Sequence, residues 1–162
     1  LPGRVPGSFS YQSTSPPSSG RFQRGNTMAF VTSRNPLAGR EIKVSVYGPD
    51  GKLQSITFVA QYRRFKRKAF QALQEQISKI GQPVFDESKQ ATGEFHKAPY
   101  ETDLHMLKDV LGGWVGVQHA DGTERACTQD EVESLVEDWP ELLQPLINGF
   151  FEVHREAPRE KN

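Results

Sequence analysis

Cysteine is almost missing from this chain: Cys127 stands alone among 162 residues. One cysteine excludes an internal disulfide framework and suits a reducing compartment. Net charge is missing as well, because 20 Lys and Arg offset 20 Asp and Glu. A chain without a global field has no general pull toward nucleic acid or an anionic membrane. No apolar run approaches the ~20 residues that span a bilayer, and no secretory leader pattern is present, so a soluble, intracellular protein is expected. Acidic side chains are absent from residues 1–39, which are rich in Ser, Pro and Gly and carry arginines. Such a stretch buries too little apolar surface to offset its ordering entropy and is expected to be a disordered arm. Met28-Ala29-Phe30-Val31 has the form of an ordinary protein start. Two readings are open for what precedes it: a non-native upstream extension or a basic arm.

Catalytic signatures are equally scarce. His96, His105, His119 and Cys127 match no structural-zinc spacing. Gly112, Gly113 and Gly116 lack the Gly-Lys-Ser/Thr that completes a phosphate loop. Cys127 precedes a helix start, where a thiolate can be favoured, but a small residue there also serves as a hydrophobic staple against Val132. No catalytic, cofactor or metal residue is assigned, and an enzyme is not expected. Charge is instead segregated: Arg63, Arg64, Lys66, Arg67 and Lys68 form a basic knot, while Asp130, Glu131, Glu133, Glu137, Asp138 and Glu141 are acidic. Opposed patches suit protein contacts, including self-association. The knot also suggests phosphate binding with Tyr62, Phe65 and Phe70 as stacking platforms, yet these aromatics fall on expected core faces, so no nucleic-acid partner is assigned.

What the chain does contain is periodicity. Ile42, Val44 and Val46 alternate with Lys43, Ser45 and Tyr47, as in a half-buried strand. Gly48-Pro49-Asp50-Gly51 is turn chemistry, and Ile56, Phe58, Ala60 and Tyr62 alternate beyond it. The hairpin so formed needs a cover, which Phe65, Ala69, Leu73, Ile77 and Ile80 offer at helical spacing with Phe70 alongside. Gly81 and Pro83 end that helix, and residues 82–99 read as a long polar loop. Thr102 or Asp103 caps a helix running to about Leu111, with Leu104, Leu107, Leu111 and Trp114 on one face and Gly112-Gly113 as its stop. An Asp121-Gly122 turn leads to Thr128-Gln129-Asp130-Glu131, a capping box. The helix it opens, to about Asp138, should bury Val132, Leu135, Val136 and Trp139. Leu142, Leu143, Leu146, Ile147, Phe150 and Phe151 make the last segment strongly apolar, and Pro145 and Gly149 predict a kink or break within it. The expected fold is α+β, an antiparallel β-hairpin packed against three or four helices. It spans residues 40–154 and precedes a frayed tail, 155–162. Phe58, Leu107, Leu111, Trp114 and Leu135 are its expected core.

Two stretches carry a resemblance: Phe58-Val59-Ala60-Gln61-Tyr62-Arg63-Arg64-Phe65, and Val110-Leu111-Gly112-Gly113-Trp114-Val115-Gly116-Val117 followed by Asp121-Gly122. In order with the Thr-opened helix and the final aromatics, they resemble the tail assembly chaperones of long-tailed bacteriophages and prophages. The likeness runs from about Glu41 to Glu152. Lys66 departs from it, standing where similar proteins often place a capping Ser or Thr, and similar proteins have a more continuous last helix. The resemblance implies a non-enzymatic chaperone of virion morphogenesis in the host bacterial cytoplasm, absent from the mature virion. Its implied partners are the tape measure protein, which it coats, and the major tail protein, which it helps recruit. Family genes commonly also yield a longer, frameshifted product.

Such a protein must cover apolar helical surface reversibly. Leu146, Ile147, Phe150 and Phe151 are the first candidates for partner binding, because their segment has more large apolar side chains than one helix face buries. Arg63, Arg64 and Arg67 are second candidates, as rim charges. A structural virion component, such as a head–tail or tail-tube adaptor, is the alternative function. A small nucleic-acid-binding regulator is a third.

Overall fold

The computed structural model describes residues 35–155, together with Gly3. The expected arm, up to residue 34, and the tail beyond Arg155 lie outside the described residues. The first strand already begins at Leu37 and buries Ala38, so the ordered domain starts ahead of residue 40.

Strand β1 (Leu37–Tyr47) pairs antiparallel with β2 (Leu53–Arg63) along its whole length, Leu37 opposite Arg63 and Tyr47 opposite Leu53. The alternation read from sequence sets the two faces. Ile42, Val46, Phe58, Ala60 and Tyr62 point inward and are buried, while Lys43, Ser45, Ser55 and Thr57 stay in solvent. At the connecting turn Gly51 takes φ +74°, a conformation that favours glycine. Helix α1 (Arg67–Lys79) follows with Lys66 at its N-cap, where no side chain caps the helix.

The expected polar loop instead holds a short second hairpin, β3 (Pro83–Phe85) with β4 (Ala91–Phe95). The Asp86 carboxylate accepts from the Gln90 N–H, the Asp86 N–H donates to the Gln90 carbonyl and the Asp86 carbonyl accepts from the Lys89 N–H, which closes the turn between the strands. Helix α2 (Asp103–Val110) opens on Thr102, whose hydroxyl accepts from the His105 N–H at 3.1 Å.

The glycine pair after α2 is not a helix stop. Leu111 turns to an extended conformation (φ −80°, ψ 117°), and Leu111–Val115 forms strand β5 on the far side of β2. The glycines also leave room for their neighbours across the sheet. A Cβ at Gly112 would come within 2.5 Å of the tip of the Leu37 side chain, and one at Gly113 within 2.5 Å of the Gln61 amide, so each of those side chains would have to swing aside. Leu111 and Trp114 therefore belong to a sheet ordered β1-β2-β5, not to a helix face. Trp114 is half-buried opposite Ala60, and its indole N–H donates to the Arg125 carbonyl at 2.6 Å.

Helix α3 (Gln129–Asp138) starts as the capping box foresees, with the Thr128 hydroxyl accepting from the Glu131 N–H at 3.2 Å. The reciprocal half is missing, because the Glu131 carboxylate pairs with Arg125 instead. Val132, Leu135 and Val136 are buried, but Trp139 is 41% exposed. A 3-10 turn at Pro140–Leu142 leads into α4 (Leu143–His154).

Helix α4 runs without a break. Pro145 is its third residue, within the first turn, where an N–H is not required. Gly149 is buried against Tyr62 and Ile42, where a larger residue would collide with both. The helix lies across β1 and β2 and is fixed there by the Tyr62 hydroxyl, which donates to the Leu146 carbonyl at 2.5 Å. It is thus α4, not α1, that covers the hairpin. Helix α1 buries only Phe70 and Leu73; Ala69 is exposed and Ile80 is 46% exposed. The architecture is α+β, with the helices on one face of a three-stranded antiparallel sheet.

Candidate partner-binding surface

The candidates on α4 separate into core and surface. Leu146 and Phe150 are wholly buried and Ile147 nearly so, whereas Phe151 is half-buried. The Phe150 ring centroid lies 5.3 Å from Phe65, 5.9 Å from Phe70 and 6.1 Å from Tyr62, in edge-on or tilted geometry. That is a core aromatic cluster. The crowded apolar residues of α4 find cover because the helix meets the sheet, α2 and α1 on different sides. Three of the four proposed contact residues are therefore framework, and Phe151 remains.

His154, which sequence reasoning passed over, ties the end of α4 to the β2–α1 junction. Its Nε2 accepts from the Phe65 N–H at 3.0 Å, so Nδ1 carries the proton and donates to the Phe150 carbonyl at 2.8 Å. The ring stacks on Phe70 at 4.7 Å and 17°.

Phe151 opens onto a groove of about 260 Å³ between α1, α2 and α4. Met106, Ile147 and Phe151 lie along it, Ile77 comes from α1 and Ile80 from its C-cap, and Pro99 and Tyr100 come from the segment before α2. Tyr100 is held in place by its hydroxyl, which donates to Asp109 at 2.6 Å, and by edge contact with His105. Burial, reinforced by that carboxylate, pushes the Tyr100 phenol up to about 12. Beyond Ile80, Phe85 and Phe95 of the small hairpin are 60% and 62% exposed. The Gly81 N–H bond to the His96 carbonyl and the His96 N–H bond to the Gln82 carbonyl fasten this hairpin to the end of α1. The groove was not visible in sequence, since it combines three separated segments. An isoleucine just ahead of the Gly81 stop was its one local signal.

The basic knot also divides. Arg63 pairs with Asp109 at 2.6 Å, and Arg64 donates to the Leu37 carbonyl at 3.2 Å. Lys66, Arg67 and Lys68 are exposed and form no ion pair among the described residues. Tyr62 and Phe70 are buried and Phe65 half-buried, so these rings do not stand free as stacking platforms.

Cys127 packs half-buried against the core beside Val132, and burial pushes its thiol up to about 11. That is the environment of a staple residue and the opposite of an activated nucleophile. Among the described residues no three His, Cys, Asp or Glu side chains gather to hold a metal ion. No helix among them is long and apolar enough to cross a membrane. No family model, curated protein or solved structure matches the chain.

Proposed function

We propose that this protein is a non-enzymatic chaperone of phage tail assembly. It acts in the host bacterial cytoplasm, holds apolar helical segments of the tape measure protein in the α1–α2–α4 groove, and leaves before the virion is complete. The observation that carries the reading is the groove itself: a mostly apolar channel with exposed Ile80 and half-buried Phe151 along it, bordered by Glu101, Thr102 and Asp103. Amphipathic helices dock in apolar grooves through side chains spaced three and four apart. Helix α1, held by only two buried side chains, is a wall that yields at low cost when a ligand helix enters. The resemblance in the Phe58–Phe65 and Val110–Val117 stretches supports the same class, and recruitment of the major tail protein falls to surfaces outside the groove.

The test is co-expression with the cognate tape measure protein. Ile80→Lys places a charge in the groove mouth without touching the core. The variant is expected to keep its melting temperature and leave the tape measure protein insoluble. If it solubilises the partner as well as wild type does, the groove is not the binding site.

A further inference from the structure

The two ends of the molecule carry complementary surfaces that the chaperone reading does not use. Strand β2 gives the axis. Near Ile56 it meets Trp139 and Leu142, which share a crevice with it; at Arg63–Phe65 it meets the end of α4 through His154. From Ile56 to Arg63 the strand rises about 23 Å at ~3.3 Å per residue. Helix α3 lies along the same axis in the opposite sense, its Thr128 end beside Arg63 and its Trp139 end beside Ile56.

At the Ile56 end, Trp139 is 41% exposed and is flanked by exposed Glu137, Asp138 and Glu141. None of these acids forms an ion pair among the described residues. At the Arg63 end lies a shallow concavity of about 630 Å³, its apolar lining supplied by Pro36, Leu37, Phe65 and Ala69 and its rim by Arg64 and Lys66. The unpaired Arg67 and Lys68 adjoin it. One end is an aromatic knob with an acidic collar; the other is an apolar dish with a basic collar.

We infer that copies of this chain associate head to tail, with Trp139 and its acidic collar of one copy seated in the basic-rimmed concavity formed by Leu37, Phe65 and Lys66 of the next. Charge complementarity selects a second copy as the occupant: the collars have opposite sign, lie at opposite ends of β2, and form no ion pair among the described residues. Because the two surfaces differ and lie at opposite ends, the contact is heterologous and propagates into open chains instead of closing as a two-fold dimer. Tryptophan is the residue type most often found as an interface anchor, and the charged collars set register and encounter rate.

The test uses the full chain alone, by sedimentation velocity across a concentration series at low salt, with and without high salt to screen the collars. Wild type is expected to form species that lengthen with concentration and shorten with salt. The basic-end variant Lys66→Glu/Arg67→Glu and the acidic-end variant Glu137→Lys/Asp138→Lys are each expected to be monomeric with unchanged helical content, because all four positions are exposed. Trp139→Ala should also be monomeric. Mixing Lys66→Glu/Arg67→Glu with Trp139→Ala leaves one intact knob and one intact dish, while the other contact sets an acidic collar without its indole against an acidic rim, so the mixture should form heterodimers and stop at two subunits. A wild-type chain that stays monomeric throughout overturns the proposal. So does a mixture that sediments as its separate components, or one that elongates as wild type does.

Discussion

Gly149 and Tyr62 show how much of this fold rests on single side chains. The absence of a side chain at Gly149 lets α4 approach the sheet until the Tyr62 hydroxyl reaches the Leu146 carbonyl. On an exposed helix, Gly→Ala stabilises by roughly 1 kcal/mol. Here the new methyl would meet Tyr62 and Ile42, and overpacking of this kind costs about 1–3 kcal/mol. Urea denaturation of Gly149→Ala is therefore expected to show a loss of stability, and a gain would mean that α4 sits farther from the sheet. Tyr62 also gives the protein an alkaline limit. Burial foremost, then the Glu152 charge against an opposing Arg40, holds its phenol well above the usual 10.0. Tyr100, raised to about 12, and Cys127, raised to about 11 from 9.0, act in the same direction. In each case the folded protein keeps a proton that the unfolded chain releases, so stability is full below about pH 9 and falls as pH rises from there. Tyr62→Phe should begin about 1 kcal/mol less stable through the lost hydrogen bond. It should then lose less than wild type between pH 9 and pH 12 when melting temperature is followed against pH.

Among the elements, those whose cause is local were legible in the sequence. The period-two runs of β1 and β2, the Gly48–Gly51 turn and the Thr102 and Thr128 caps all depend on residues within a few positions of one another. Thr128→Ala should accordingly cost about 1 kcal/mol in thermal or chemical melts, the usual value of an N-cap. Elements decided at a distance were misread. A glycine pair after an amphipathic run looks like a helix stop, and only the pairing of β5 with β2 shows that those glycines belong to a strand. Pro145 and Gly149 look like breakers until Pro145 is placed in a first turn and Gly149 under a tyrosine. The apolar stripe of α1 looked like the cover of the hairpin, yet α4 occupies that place and leaves Ile80 outside. The candidate site suffered for the same reason. Excess apolarity points to Phe150, Leu146 and Ile147, but α4 is enclosed on several sides, so Leu146 and Phe150 are core, Ile147 is a buried part of the groove floor, and Phe151 and Ile80 are its more open residues. Gly112→Val measures the distance effect directly. It should destabilise the fold by roughly 1 kcal/mol, the low end of overpacking, because the tip of Leu37 can swing aside, while a marked gain in stability would place β5 elsewhere.

At the scale of the whole domain, the helices enclose one core against the sheet, and exposed apolar side chains include Ile80 at the groove, Phe85 and Phe95 on the small hairpin, Tyr47, Leu53 and Val115 on the sheet strands, and Trp139 after α3. A chaperone that leaves before maturation should be missing from purified particles while abundant in lysates of infected cells, as immunoblotting of both fractions would show; a stoichiometric band in particles would favour a structural component instead. The most direct measurement is hydrogen–deuterium exchange of the chain with and without a soluble helical fragment of the tape measure protein. The account predicts added protection in the segments that carry Ile77 and Ile80, Pro99 to Met106, and Ile147 to Phe151, with little change on the outer face of β1 and β2. Protection confined to the outer sheet face, with the groove segments exchanging as in the free chain, would contradict it.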